Sequence, residues 1–130
     1  MITKKCLTLF TVVFMVLMIA GCAVPFRGGP SKVELEAADC GPKPIEYEKA
    51  IMKWINDNLK DPFSAKTEEI SLPEKSWWGT TGALLQSRNI NYGWMVSAKI
   101  NAKNSWGAYV GWKKYYFYFR GEEIKYTQYE

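Results

Sequence analysis

Apolar and polar residues alternate most clearly in the last third of the chain. Trp94, Val96, Ala98, Ile100 and Ala102 interleave with Met95, Ser97, Lys99 and Asn101, the two-residue period of a half-buried strand. Asn101 to Gly107 supplies a polar turn. A second strand is predicted from about Ala108 to Arg120, with Tyr115, Phe117 and Phe119 on one side and Tyr116 and Tyr118 on the other, a segment rich in strand-forming aromatics. Arg120-Gly121-Glu122-Glu123 makes the next turn, and Ile124 to Tyr129 a third strand, which completes an antiparallel meander.

Upstream the period changes. Tyr47, Ile51, Trp54, Ile55 and Leu59 fall on one face of a helix predicted over 44–60, and that face is expected to pack on the sheet. Pro44 suits the first turn, where its missing N–H costs nothing, and Glu46 and Glu48 complement the positive end of the dipole. Asp61-Pro62 ends the helix and can start a short turn, with Asp61 as its N-cap. Thr67 to Leu72 can be a strand that stops at Pro73; Glu74 to Asn91, interrupted by Gly79 and Gly82, reads as a loop with irregular pieces. The fold class that follows is α+β: one amphipathic helix on a small antiparallel meander of three to four strands.

The N-terminus has a different character. Lys4 and Lys5 precede a run from Cys6 to Ala20 without a charged residue, the shape of a signal peptide and too short for a permanent membrane span. Ile19-Ala20-Gly21-Cys22 resembles the lipobox of bacterial lipoproteins. That resemblance implies a diacylglycerol on Cys22 Sγ, cleavage after Gly21 and acylation of the new amino terminus; two or three chains make attachment stable. Ala23, where Asp would favour retention at the inner membrane, points to the periplasmic face of the outer membrane. Residues 22–43, punctuated by Gly28-Gly29-Pro30 and Cys40-Gly41-Pro42-Lys43-Pro44, read as a flexible lipidated tether, and residues 44–130 as a single small domain.

Removal of residues 1–21 from the 130-residue chain leaves 109 residues, enough for one modest core. Lys4 and Lys5 leave with the signal, so the balance of 17 basic and 13 acidic residues becomes a mature charge of +2. Such a weak charge and an extracytoplasmic address exclude nucleic acid, although Lys113 to Arg120 interleaves cations with strand aromatics as base-stacking sheets do. With Cys6 lost and Cys22 acylated, Cys40 is left without an intramolecular partner.

The chain has no histidine, which excludes Ser-His-Asp and Cys-His nucleophile systems and histidine-bearing metal sites. Glu68 and Glu69 would point to opposite faces of a strand, and Glu122 and Glu123 sit in a tight turn, so both pairs read as solvated charge. No cofactor motif, metal site or catalytic residue is expected. What remains is aromatic: six Trp and eight Tyr in the mature chain. With Trp54 and Trp94 assigned to the core, Trp77, Trp78, Trp106, Trp112 and Tyr109 are candidates for exposure, beside Asn101, Lys103 and Asn104 as polar groups. Aromatic faces flanked by Asn and Lys stack on sugar rings or anchor a protein partner.

Asn101-Ala102-Lys103-Asn104-Ser105-Trp106-Gly107-Ala108-Tyr109-Val110-Gly111-Trp112 resembles a block of small uncharacterised bacterial lipoproteins and secreted proteins, and Leu59-Lys60-Asp61-Pro62-Phe63-Ser64-Ala65 is similar to a second block upstream of it. The resemblance implies one small α+β domain and no established activity. Gly107 and Gly111 suit tight turning, and the Asn side chains suit bonding to loop backbone. The expectation is a non-enzymatic, membrane-anchored envelope lipoprotein that acts as a protein-interaction module. The alternatives are a glycan-binding module for peptidoglycan and an inhibitor of a lysozyme-like enzyme.

Overall fold

The strand alternation of the C-terminal third continues further back along the chain than its sequence period suggests. The computed structural model describes residues 29–81 and 88–130. Its elements are α1 (Lys32–Ala37), α2 (Tyr47–Asn58), a 3-10 turn (Pro62–Ser64), β1 (Lys66–Glu68), β2 (Glu74–Thr81), β3 (Arg88–Asn101), β4 (Lys113–Arg120) and β5 (Glu123–Tyr129). The segment expected to be a signal peptide, residues 1–21, and the expected acylation site Cys22 lie outside the described residues.

All five strands form one antiparallel sheet. β3 is its spine: β4 pairs along one edge, β1 and β2 share the other, and β5 lies outside β4. The molecule is therefore α+β with a five-stranded antiparallel sheet, one strand more than the three to four expected. The additional strand is β2, which lies where a loop was expected. Gly79 and the Trp77-Trp78 pair hide its alternation, and its order comes from continuous pairing with β3, from Glu74↔Met95 to Thr81↔Arg88.

The strand predicted over 67–72 is cut short for a local reason. Glu69 has φ 52°, so β1 stops at Glu68 and the chain kinks away from the ladder. It returns at Ser71, whose N–H donates to Ser97 O (2.8 Å) and whose Oγ accepts from Ser97 N–H (2.9 Å). β4 begins only at Lys113 because residues 102–112 form a loop.

The helix stripe and the sheet alternation meet in one core. Ile51 and Ile55 of α2 pack with Val96, Ala98, Ile100, Phe117 and Phe119, all essentially inaccessible to solvent. Each isoleucine contributes roughly 1.5–3 kcal/mol by its burial. Trp54 seals the edge of this core, with its ring edge-on to Phe117 (5.2 Å) and Tyr115 (5.6 Å). α2 starts at Tyr47 rather than Pro44, and its N-cap residue Glu46 makes no side-chain cap. Glu122 supplies one from the β4–β5 turn: its two carboxylate oxygens accept the N–H groups of Ile45 (2.8 Å) and Glu46 (3.0 Å). The solvated-charge expectation for Glu122 is thereby replaced by a capping role.

The segment expected to be a tether is folded over most of its length. Ser31 and Glu34 form a reciprocal capping box that starts α1. Cys40 and Pro44 are buried, Trp94 Nε1 donates to Gly41 O (3.0 Å), and Arg120 pairs with Asp39 (2.9 Å) while also donating to Tyr92 O (3.2 Å). Lys75 Nζ donates to Glu36 O, so α1 lies on the same face of the sheet as α2.

Candidate functional site

The candidate residues separate into two surfaces and one packing contact. Trp77 is the packing contact. It is half-buried beside residue 29, where an added Cβ would come within 2.4 Å of its ring.

Trp78, the next residue along β2, points to the opposite face of the sheet, away from both helices. Gly93 leaves the space that its ring crosses: a Cβ there would stand 2.7 Å from Trp78. The indole reaches Tyr118 of β4 (centroids 5.8 Å apart), which in turn meets Tyr126 of β5 (5.6 Å). The result is a file of three rings across three strands on the open face, with Tyr116 and Met95 half-buried beside it. Burial first, then the neighbouring Tyr126 and Tyr116, push the Tyr118 phenol above its ordinary pKa, so it stays a neutral hydrogen-bonding group. Tyr126, at the outer end of the file, is 45% exposed.

The second surface is the end of the sheet where β3 runs into the 102–112 loop. Asn104 organises that loop: its Oδ1 accepts the N–H groups of Trp106 (2.9 Å) and Ala108 (3.1 Å), and its backbone bonds Ala108 O and Gly107 N–H. Asn101 Oδ1 accepts from Gly111 N–H (3.2 Å). Gly107 (φ 78°) and Gly111 (φ 95°) occupy left-handed backbone that other residues avoid. The expected bonding of Asn side chains to loop backbone is present, and it engages the amide oxygens of Asn101 and Asn104 within the loop.

The 3-10 turn is stitched to this loop. Asp61 caps it through Ser64 N–H, as its place before Pro62 predicts. Ser64 Oγ accepts from Lys103 N–H, Ser64 O accepts from Tyr109 OH (3.1 Å), and Lys60 Nζ donates to Ser105 Oγ (2.7 Å). The ammonium groups of Lys66 and Lys103 lie 5.0 and 5.4 Å from the Tyr109 ring centroid. A shallow groove of about 190 Å³ opens between Leu59, Ala102, Val110 and Lys113. Phe63 is 96% exposed and Trp106 91%, on the two segments that these bonds hold together.

The loop therefore brings Asn101, Lys103, Asn104, Trp106 and Tyr109 together, as expected, but not with Trp78. Trp78 pairs with Asn91, ten residues before Asn101 on the same strand, roughly 30 Å away at the rise of a strand. Phe63 and Lys66 are additional members of the loop-end surface, and Tyr118 and Tyr126 of the open face. The signal for Phe63 was an aromatic placed in a proline turn outside any apolar period. Among the described residues no three acidic or thiol side chains converge as a metal site requires. Compared with protein-family models, curated proteins and solved structures, the chain matches none, so the α+β class and these two surfaces carry the functional argument.

Proposed function

We propose that the chain is a non-enzymatic, membrane-anchored envelope protein that docks another envelope protein on the open face of its sheet. The observation that carries this is the Trp78–Tyr118–Tyr126 file, opposite both helices. Tyr, Trp and Met are the side chains enriched at interface centres. Here they stand on strands, so little side-chain freedom is lost when a partner covers them. The membrane anchor rests on Ile19-Ala20-Gly21-Cys22, with lipid on Cys22, and Ala23 favours the periplasmic face of the outer membrane.

The test is affinity capture from solubilised envelopes with the full-length chain and with Tyr126→Ala, an edge-strand change that leaves the core intact. An identified envelope protein should be held by the wild type, lost at least tenfold in Tyr126→Ala and kept in Trp106→Ala. If no protein depends on Tyr126, the open face is not a docking surface.

A further inference from the structure

The loop end is rich in cationic donors, and its acceptors are engaged largely within the loop. One side-chain oxygen of each of Asn101, Asn104, Asp61, Ser64 and Ser105 accepts a bond from within the cluster, Asp61 through Oδ1. Lys60, Lys66, Lys103 and Lys113 surround them, and among the described residues none of the four pairs with a carboxylate. Lys66 and Lys103 share the Tyr109 ring, which places two like charges within about 10 Å of each other, with Asp61 the acidic residue in the cluster. The ring offsets part of their repulsion. An anionic, acceptor-rich ligand offsets the rest.

Two further features narrow the ligand. Phe63 and Trp106 stand almost fully clear of the surface, placed to stack on the C–H faces of sugar rings. A protein hot spot, by contrast, sits inside a close-packed rim that excludes water. The chain enters the described fold at Gly29 beside Trp77, at the far end of β3 from the loop. Six residues lie between Cys22 and Gly29, a span of at most about 25 Å when extended. With lipid on Cys22, as proposed above, the loop end is the end of β3 farther from the point where the anchored segment enters the fold.

We infer that the loop end is a second binding site, separate from the open face, and that it takes a carboxylate-bearing glycan polymer of the peptidoglycan class. Lys66 and Lys103 meet the stem-peptide carboxylates, and Trp106 and Phe63 meet the sugar rings. The direction of approach rests on the proposed lipid attachment; the donor surface does not.

Co-sedimentation of the full-length chain in detergent with purified sacculi tests this. The wild type should sediment, with at least a tenfold loss in Lys66→Gln/Lys103→Gln and in Trp106→Ala, recovery in Lys66→Arg/Lys103→Arg, and wild-type behaviour in Tyr126→Ala. Sacculi stripped of their stem peptides should retain at least tenfold less. Three results would overturn the assignment: no sedimentation above background, equal sedimentation of the Lys→Gln pair, or phosphatidylglycerol vesicles binding as well as sacculi. None of them bears on capture through Tyr126, so the two surfaces fail independently.

Discussion

Glu122 offers the sharpest test of how this fold is held together. α2 begins without a side-chain cap of its own, and the β4–β5 turn supplies one from 76 residues away in sequence. Glu122→Ala leaves the Ile45 and Glu46 N–H groups to water and removes a negative charge from the positive end of the helix. Loss of a cap costs about 1 kcal/mol, and loss of the dipole interaction about 0.3–1 kcal/mol. Both bonds are exposed, so water recovers some of each and the expected total is about 1–1.5 kcal/mol. Glu122→Gln keeps an acceptor without the charge and should lose about half of that. In urea, with a slope of roughly 1–2 kcal/mol/M for a domain of this size, the midpoint of Glu122→Ala should fall by about 0.5–1.5 M. Glu123→Ala is the internal control, because among the described residues the Glu123 side chain bonds only Lys125, on the same strand. A midpoint for Glu122→Ala within about 0.2 M of the wild type, or an equal loss in Glu123→Ala, would refute the remote cap.

Two other perturbations read the same packing. Gly93→Ala places a methyl 2.2 Å from Phe119 O and 2.7 Å from the Trp78 ring; backbone and indole must both move, and unfolding should show a loss of about 1–3 kcal/mol. Asp39 is held below its ordinary carboxylate pKa by the Gly41 N–H and then by Arg120. Its contribution to stability is therefore complete above the unfolded value near 3.8 and is lost as pH falls through the lower folded one. Asp39→Asn should flatten that acid-side slope in a stability-versus-pH titration, and an unchanged slope would exclude a stabilising role for the Asp39 bonds to Gly41 and Arg120.

Sequence periodicity was sufficient where one face is buried and the other is not. Val96, Ala98, Ile100, Phe117 and Phe119 are buried as their alternation indicates, and Ile51 and Ile55 are buried as their helical spacing indicates. It was insufficient where order comes from a partner distant in sequence. β2 carries glycine and adjacent tryptophans and becomes a strand only by pairing with β3. Cys40 and Pro44 lie among turn-forming residues, and their burial depends on Arg120, Trp94 and Glu122. For the same reason the loop-end cluster was legible, since Asn101 to Trp112 are contiguous, whereas the Trp78–Tyr118–Tyr126 file needed the strand register.

The length of β3 has a mechanical meaning. β4 pairs only with Trp94–Ile100, so residues 88–93 form a two-stranded ribbon with β2, without the flanking strand that secures the rest of β3. Two-stranded ribbons are marginal by themselves, and backbone protection should fall along this single strand from Val96 toward Asn91. The chain from the N-terminus arrives at this ribbon, beside Trp77. A pull transmitted from that side runs along the backbone into α1 and then into the Asp39–Arg120 and Gly41–Trp94 contacts, and the β2–β3 ribbon lies outside that covalent path. The fold thus sets its least supported pairings apart from the contacts that hold its N-terminal segment, which is tied to β3 and β4 through Trp94 and Arg120.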